Sequence, residues 1–362
     1  MVEKDTSLTR REFSKSVIAY VVATLPIVPL VDNLSEYREK MPELRNTLIF
    51  DLPPQNKFTE ALDDIYGNGF SAALAENLQA PESKDYIADN PGVGELLRLT
   101  DMYLRHGDEV TKIWVNKCKE IGFTGIPARE ILDDCIDNVS SNSVNDNPPT
   151  IRITGEINVE KVSQKLHLYP QNIINMSWQP GEIGFEISRG SGGLKVKFIE
   201  AYPSDNPQKT KESLDKLFWL RHQHPEKYFL TSAGNYSADL GKVLPEFGKN
   251  IPLNGSLIAQ INEWRKIGGV YDSFPFPVFG ADIYEPNNLD HLNNGSSYGI
   301  PLITAASAGI FYYYRDDYEQ MNNVLSLWFA NERIVKYSQR IEKVNVFNWQ
   351  LAKESFLKAT NY

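Results

Sequence analysis

The sequence predicts an α/β fold built on a mostly parallel central sheet with helices on both faces. Short apolar segments alternate with helical patterns along the chain, which is typical of βαβ units. The chain has 362 residues, of which 41% are apolar, and this is enough to bury a substantial core. A single α/β domain with loop insertions can have this length, so one main domain is expected.

Four short apolar segments predict the strands of this sheet. They are residues 47–50, 129–132, 172–177 and 227–232. In an open parallel sheet, ligands bind beyond the carboxyl ends of the strands. Asp51 follows the first predicted strand, Trp178 and Gln179 follow the third, and Asn235 follows the fourth. We therefore expect an acid, a turn and an amide on one rim of the sheet.

Helical patterns and turn residues fill the segments between the strands. Residues 109–121, 159–166, 211–222 and 301–315 predict helices, and the polar stretches 79–92 and 140–149 predict loops. Two apolar runs, 185–188 and 194–198, flank the sequence GSGG at 190–193. This pattern predicts a β-hairpin, inserted near 185–198 after a core strand.

The first 31 residues have the layout of an export signal. Arg10 and Arg11 precede a run from 17 to 31 without a charged residue. The paired arginines, followed by Phe13 and Lys15, resemble the bacterial twin-arginine signal. An amphipathic first helix is the alternative, but the run has no polar face and contains prolines. The interpretation is a signal at 1–31, a linker at 32–46 and a domain at 47–362, in a protein exported to the periplasm or the cell exterior; an uncleaved signal could anchor it in the membrane.

The net charge and the cysteine content argue against two classes of protein: those that bind nucleic acid and those held together by several disulfides. The net charge of −10 argues against nucleic acid, because phosphate binding needs clustered Lys and Arg. Cys118 and Cys135 are too few for a disulfide scaffold, and whether they form one bond stays open. The patterns indicate no cofactor and no metal site, with calcium left open. Four of the five histidines are predicted to be solvated or on helix surfaces: His167, His222, His224 and His291.

Ser297 stands at the start of a helix predicted to be buried. The segment 295–301 reads GSSYGIP, and the apolar run LITAASAGI follows it at 302–310. Pro301 is tolerated near a helix start, where the N–H groups have no partners within the helix. The positive end of such a helix would favour a negative charge that develops at Ser297.

Three segments resemble the subtilisin-like serine peptidases, the subtilases. The sequence GSSYGIP at 295–301 is similar to the family's nucleophile motif G-T-S-x-A-x-P. Residues 172–178, NIINMSW, resemble its strand ending N-M-S-L-G, and residues 229–235, FLTSAGN, resemble its strand ending A-A-G-N. The resemblance extends from about residue 47 to the end and implies a subtilisin-like three-layer fold.

The resemblance also indicates the two other members of a catalytic triad. The sequence HGDEV beginning at His106 resembles the family's H-G-T-H-V, and TLIFD ending at Asp51 resembles its V-I-D-T-G. Leu52 and Pro53 replace the small residue and Gly of the second motif, so the turn after Asp51 must differ. The remaining candidates for the acid are Asp63, Asp64 and Asp101.

The resemblance implies a serine endopeptidase acting on a peptide or protein substrate. Ser297 would be the nucleophile, His106 the general base and Asp51 its partner, and the Asn235 amide would help to form the oxyanion hole. Substrate backbone would bind along Ser177, Trp178 and Gln179, where the family adds it as a strand. Two alternatives stay open: a pseudoenzyme that binds peptides without cutting them, and a hydrolase for esters or one dedicated target.

Overall fold

The computed structural model describes 17 stretches of the chain, and the statements below concern these stretches. The predicted export signal, Asn235 and His291 lie outside them. The described residues are 41–53, 55–67, 91–144, 150–190, 193–199, 201, 206–232, 256–261, 266–267, 270–271, 278–279, 297, 299–314, 318–328, 331–337, 340–346 and 349–360.

The described stretches contain 16 strands and seven α-helices. The strands are β1 Glu43–Leu44, β2 Thr47–Asp51, β3 Thr124–Gly125, β4 Ala128–Ile131, β5 Ile136–Val144, β6 Thr150–Ile157, β7 Ile173–Met176, β8 Glu182–Gly190, β9 Gly193–Ile199, β10 Tyr228–Ser232, β11 Ser256–Ile261, β12 Lys266–Ile267, β13 Val270–Tyr271, β14 Val278–Phe279, β15 Asn331–Tyr337 and β16 Arg340–Val346. The helices are α1 Lys57–Tyr66, α2 Pro91–Glu120, α3 Val159–Leu166, α4 Pro207–Gln223, α5 Ile300–Tyr314, α6 Tyr318–Trp328 and α7 Trp349–Thr360.

Six strands form a parallel central sheet in the order β14-β11-β10-β7-β2-β4. All residues of β2 and β7 are buried, as expected for parallel strands that are covered on both faces. The predicted α/β class with a parallel sheet is therefore confirmed. The four predicted strands correspond to β2, β4, β7 and β10, with ends shifted by a few residues.

Each face of the sheet packs against its own set of helices. Successive residues of a strand point to opposite faces, and β2 shows this: Phe50 belongs to one hydrophobic cluster and Ile49 to the other. The Phe50 cluster contains apolar side chains of α1, α3 and α4. The Ile49 cluster contains those of α2, α5, α6 and α7. The arrangement is a three-layer one in the described residues, with the sheet in the middle.

A second, antiparallel sheet extends the predicted hairpin. Strands β8 and β9 form that hairpin, but they join β5 and β6 in a four-stranded sheet of order β5-β6-β8-β9. The prediction of a loop at 140–149 is wrong for 140–144, which complete β5. The Ser- and Asn-rich sequence of this segment favours a loop locally, and pairing with β6 along 150–157 overrides that preference.

The two cysteines lie in different clusters and carry free thiols. Cys118 of α2 is part of the Ile49 cluster, whereas Cys135 is part of the Phe50 cluster on the opposite face of the sheet. Because the sheet separates them, no disulfide joins them. In the stretches that the structure describes, no helix combines the length and apolar character needed to cross a bilayer.

Candidate active site

Strand β2 carries Asp51 to the carboxyl edge of the central sheet. The four preceding residues of β2 are buried, and Asp51 is the last residue of the strand. Its Oδ1 accepts a hydrogen bond from the backbone N–H of Leu52 at 2.7 Å. The strand therefore fixes the position of this carboxylate, and the following residue helps to fix its orientation.

Helix α2 brings His106 to the same edge. The helix packs against the sheet with Val110, Trp114 and Cys118 fully buried, and Ile121, which follows the end of the helix, is buried with them. The helix begins at Pro91, well before the predicted start at 109, so His106 lies in its interior.

Gly107 allows α2 to approach the end of β2 closely. A Cβ at this position would lie 2.5 Å from the carbonyl oxygen of Leu52 and 3.3 Å from Cβ of Asp51. Glycine in a helix interior costs about 1 kcal/mol relative to alanine, so its presence here needs a reason. The close approach of α2 to Asp51 supplies that reason.

Ser297 lies three residues before α5 begins. The helix packs against α2 and β7, and residues 300–310 are all buried. The N–H of Leu302 donates to the carbonyl of Gly299 at 3.1 Å, which tightens the first turn. The helix start predicted from Pro301 is therefore confirmed, and it holds Ser297 beside His106.

Asp51, His106 and Ser297 form a continuous hydrogen-bonded chain. His106 Nδ1 lies 2.8 Å from Asp51 Oδ1, and His106 Nε2 lies 2.8 Å from Ser297 Oγ. The three residues are 6%, 9% and 9% exposed. An ionised Asp51 can only accept a hydrogen bond, so Nδ1 carries the proton and Nε2 is left to accept the Ser297 hydroxyl proton. This is the arrangement of a serine nucleophile, a general base and an orienting acid.

Of the four aspartates considered for the acid, Asp51 is the one that the described residues place in hydrogen-bond contact with His106. Asp63 and Asp64 lie on α1, on the other face of the sheet from α2. Asp101 lies on α2 five residues before His106, and its side chain is outside the described part of the structure.

The residues predicted to line the substrate path are packed inward. Ser177 Oγ donates to Asn175 Oδ1 at 2.9 Å. The Trp178 indole N–H donates to the carbonyl of Phe50, and its ring meets the Phe50 ring edge-on at 5.7 Å between centroids. Gln179 is also buried. The side chain of Trp178 thus ties the end of β7 to β2 next to Asp51.

The prediction for one of the remaining histidines is wrong. His167 and His222 are exposed, but His224 is fully buried, with Nε2 2.8 Å from Ser163 Oγ. It follows the end of α4, where the chain turns inward to enter β10, and a helical pattern does not predict that turn. Within the described residues, no group of three or more His, Cys, Asp or Glu side chains is placed to hold a metal ion.

Two further side chains, which link β7 to α5, were not identified from the sequence. Asn175 of β7 and Thr304 of α5 are fully buried, and Asn175 Nδ2 donates to Thr304 Oγ1 at 3.0 Å. A threonine in the middle of a largely apolar, buried helix is the signal that could have indicated them, because a buried hydroxyl needs a partner.

No known protein family, curated protein or solved structure was found to match this chain. The geometry of Asp51, His106 and Ser297 is accordingly the principal indication of what the protein does.

Proposed function

We propose that this protein is a subtilisin-like serine peptidase that cleaves peptide bonds, with Ser297 as its nucleophile. The observation that carries the proposal is the hydrogen-bonded chain from Asp51 through His106 to Ser297. The first two residues are 55 positions apart and the last two are 191 apart. Three separate elements meet at one edge of the sheet to make this contact, which is difficult to explain by local structure.

The architecture supports the finer assignment to a subtilisin-like fold. The candidate residues occur in the order Asp, His, Asn, Ser, as in the motifs that the sequence resembles. Asp51 ends a central strand of a parallel sheet, His106 is on a helix that packs on that sheet, and Ser297 precedes a buried helix on the same face.

The contacts suit acyl transfer in two steps. Ser297 Oγ attacks the substrate carbonyl carbon while His106 Nε2 accepts the hydroxyl proton, and Asp51 stabilises the imidazolium that forms. The Ser297 backbone N–H, and the Asn235 amide proposed from the sequence, would bind the oxyanion. His106 then gives its proton to the leaving amine as the C–N bond breaks. In the second step, water attacks the acyl-enzyme while His106 Nε2 accepts a proton from it. The ester bond to Ser297 then breaks, and His106 returns the proton to Ser297 Oγ.

Labelling with a fluorophosphonate probe tests the nucleophile directly. The folded wild-type protein should be labelled, and Ser297→Ala should lose all labelling with little change in thermal stability. Ser296→Ala is the matched control, because it removes a hydroxyl from the adjacent residue and should still be labelled.

The outcomes separate the proposal from its alternatives. A folded wild-type protein that is never labelled would contradict a serine hydrolase and favour peptide binding without cleavage. Labelling lost in Ser296→Ala but kept in Ser297→Ala would place the nucleophile one residue earlier. A labelled protein that hydrolyses activated esters but cleaves no member of a peptide library would be an esterase, not a peptidase.

A further inference from the structure

Two hydroxyl side chains, Thr304 and Ser307, stand inside the buried part of α5, the helix that follows the proposed nucleophile, and among the described residues only that of Thr304 is hydrogen-bonded. Residues 300–310 of α5 are buried, and Thr304 in their middle is 0% exposed. A valine would fill the same volume without a hydroxyl that must be satisfied in the protein interior. The Thr304 hydroxyl is satisfied by two hydrogen bonds, one of them to another element, and a valine could make neither.

Thr304 is part of a buried chain of hydrogen bonds between β7 and α5. Its hydroxyl donates to the carbonyl of Ile300 at 2.8 Å and accepts from Asn175 Nδ2 at 3.0 Å. Asn175 Oδ1 in turn accepts from the Ser177 hydroxyl at 2.9 Å. A carbonyl oxygen can only accept, so the direction of every bond in this chain is fixed.

These hydrogen bonds join the carboxyl end of β7 to the first turn of α5. Asn175 belongs to β7, which is next to β2 in the sheet, and β2 carries Asp51. Ile300 is the first residue of α5, and Ser297 precedes it by three residues. Networks of fully satisfied, buried hydrogen bonds hold their members rigidly. The distance between the Ser297 segment and the sheet edge is thus tied to Asn175 and Thr304.

We propose that Thr304 and Asn175 are positioning residues that hold Ser297 Oγ in line with His106 Nε2. The inference rests on the proposed role of Ser297 as nucleophile. Neither side chain touches the reacting atoms. Thr304 fixes the first turn of α5 through the Ile300 carbonyl, and Asn175 fixes Thr304 relative to the sheet. Loss of the hydroxyl would release that turn and let Ser297 drift from His106.

The first test compares Thr304→Val with two controls. Thr304→Val keeps the shape of the side chain and removes its hydroxyl, and a displacement of Ser297 by as little as 1 Å should slow fluorophosphonate labelling by about 10- to 100-fold. Thr304→Ser keeps the hydroxyl and should be labelled at the wild-type rate. Thr210→Val is the matched control, because Thr210 is also fully buried and its hydroxyl donates to the carbonyl four residues earlier, that of Asn206, the cap residue of α4. It should also label at the wild-type rate.

A double-mutant cycle tests whether Thr304 affects the labelling rate through Asn175. If Thr304 acts with Asn175, Thr304→Val should cause little further slowing in an Asn175→Ala background. Additive effects of the two changes on the labelling rate would contradict a shared network. If Thr304→Val does not fold, Thr304→Ala replaces it in the same comparison.

Side-chain ¹⁵N NMR of His106 gives a readout that does not need hydrolysis. The Nε2 resonance reports the hydrogen bond from Ser297, so Thr304→Val should shift it and Thr304→Ser should not. If the wild type is never labelled but this shift occurs, the proposed hydrolase function fails and the positioning role stands. If folded Thr304→Val has the wild-type resonance, or labels at the wild-type rate, the positioning role is refuted.

Discussion

Replacement of Gly107 by alanine tests whether the close packing of α2 sets the contact between Asp51 and His106. A Cβ at 107 would lie 2.5 Å from the carbonyl oxygen of Leu52. Carbon and oxygen atoms in favourable contacts lie about 3.3–3.6 Å apart, so the helix and the end of β2 would have to separate by about 0.8–1.1 Å. Backbone atoms form one side of this contact, and they cannot rotate away as a side chain can.

The expected loss of activity is much larger than the loss of stability. If the separation is transmitted to His106, the 2.8 Å contact with Asp51 lengthens to roughly 3.6 Å, at which no hydrogen bond remains. A misplacement of this size costs about 100-fold in rate. Alanine gains about 1 kcal/mol over glycine in a helix interior, and overpacking costs about 1–3 kcal/mol, so the unfolding free energy should fall by about 0–2 kcal/mol.

The assay pairs the fluorophosphonate labelling rate with urea unfolding of the same variant. Gly309→Ala is the matched control: Gly309 is also in a helix, and its added Cβ would meet the tip of the Phe356 side chain at 2.8 Å. Phe356 can move, so this variant should lose little labelling. A Gly107→Ala protein that labels at the wild-type rate would refute the reasoning. Equal losses in both variants would point to general overpacking instead.

Two further predictions concern the oxyanion and the buried imidazole. Asn235→Ala should slow turnover by about 100- to 1,000-fold while KM and thermal stability stay near wild type, because the amide would bind charge that exists only in the transition state. A variant with the full rate would remove Asn235 from the oxyanion hole. Burial and the nearby His167 lower the pKa of His224 below its ordinary value near 6.5. The unfolded state therefore binds the proton more readily, and the unfolding free energy should fall as the pH drops below about 6.5 towards the folded-state pKa. Urea titrations at several pH values should show a weaker dependence in His224→Gln, and equal dependence in both proteins would contradict this assignment.

The sequence predicts best those elements whose signals are local. The helix Val159–Leu166 was predicted with the observed bounds, because Asn158 caps its first turn and its apolar side chains follow a helical period. The predicted strands β2 and β7 are short and largely apolar, and their burial on both faces produces that pattern. The segment 140–144 was predicted wrongly because its strand conformation depends on pairing with β6, which local composition does not reveal.

The sequence indicates a site residue best where its type and its position next to a predicted element point to the same role. Ser297 could be placed from the apolar run after Pro301, and the structure puts it three residues before that buried helix. The choice of Asp51 as the acid depends on a contact between residues 55 positions apart, which only the packing of α2 on β2 decides. The burial of Asn175 and its bond to Thr304 likewise depend on how α5 crosses the sheet.

Two residues that go against local preference lie on the helices next to the proposed triad: Gly107 on α2 and Thr304 on α5. Gly107 weakens the interior of α2, and Thr304 places a hydroxyl inside the apolar α5. The first allows the histidine helix to approach Asp51, and the second ties the serine helix to the sheet. Stable folds accept such costs mainly at functional sites. Their occurrence on the helix that carries His106 and on the helix that follows Ser297 supports the proposal that these side chains form a functional site.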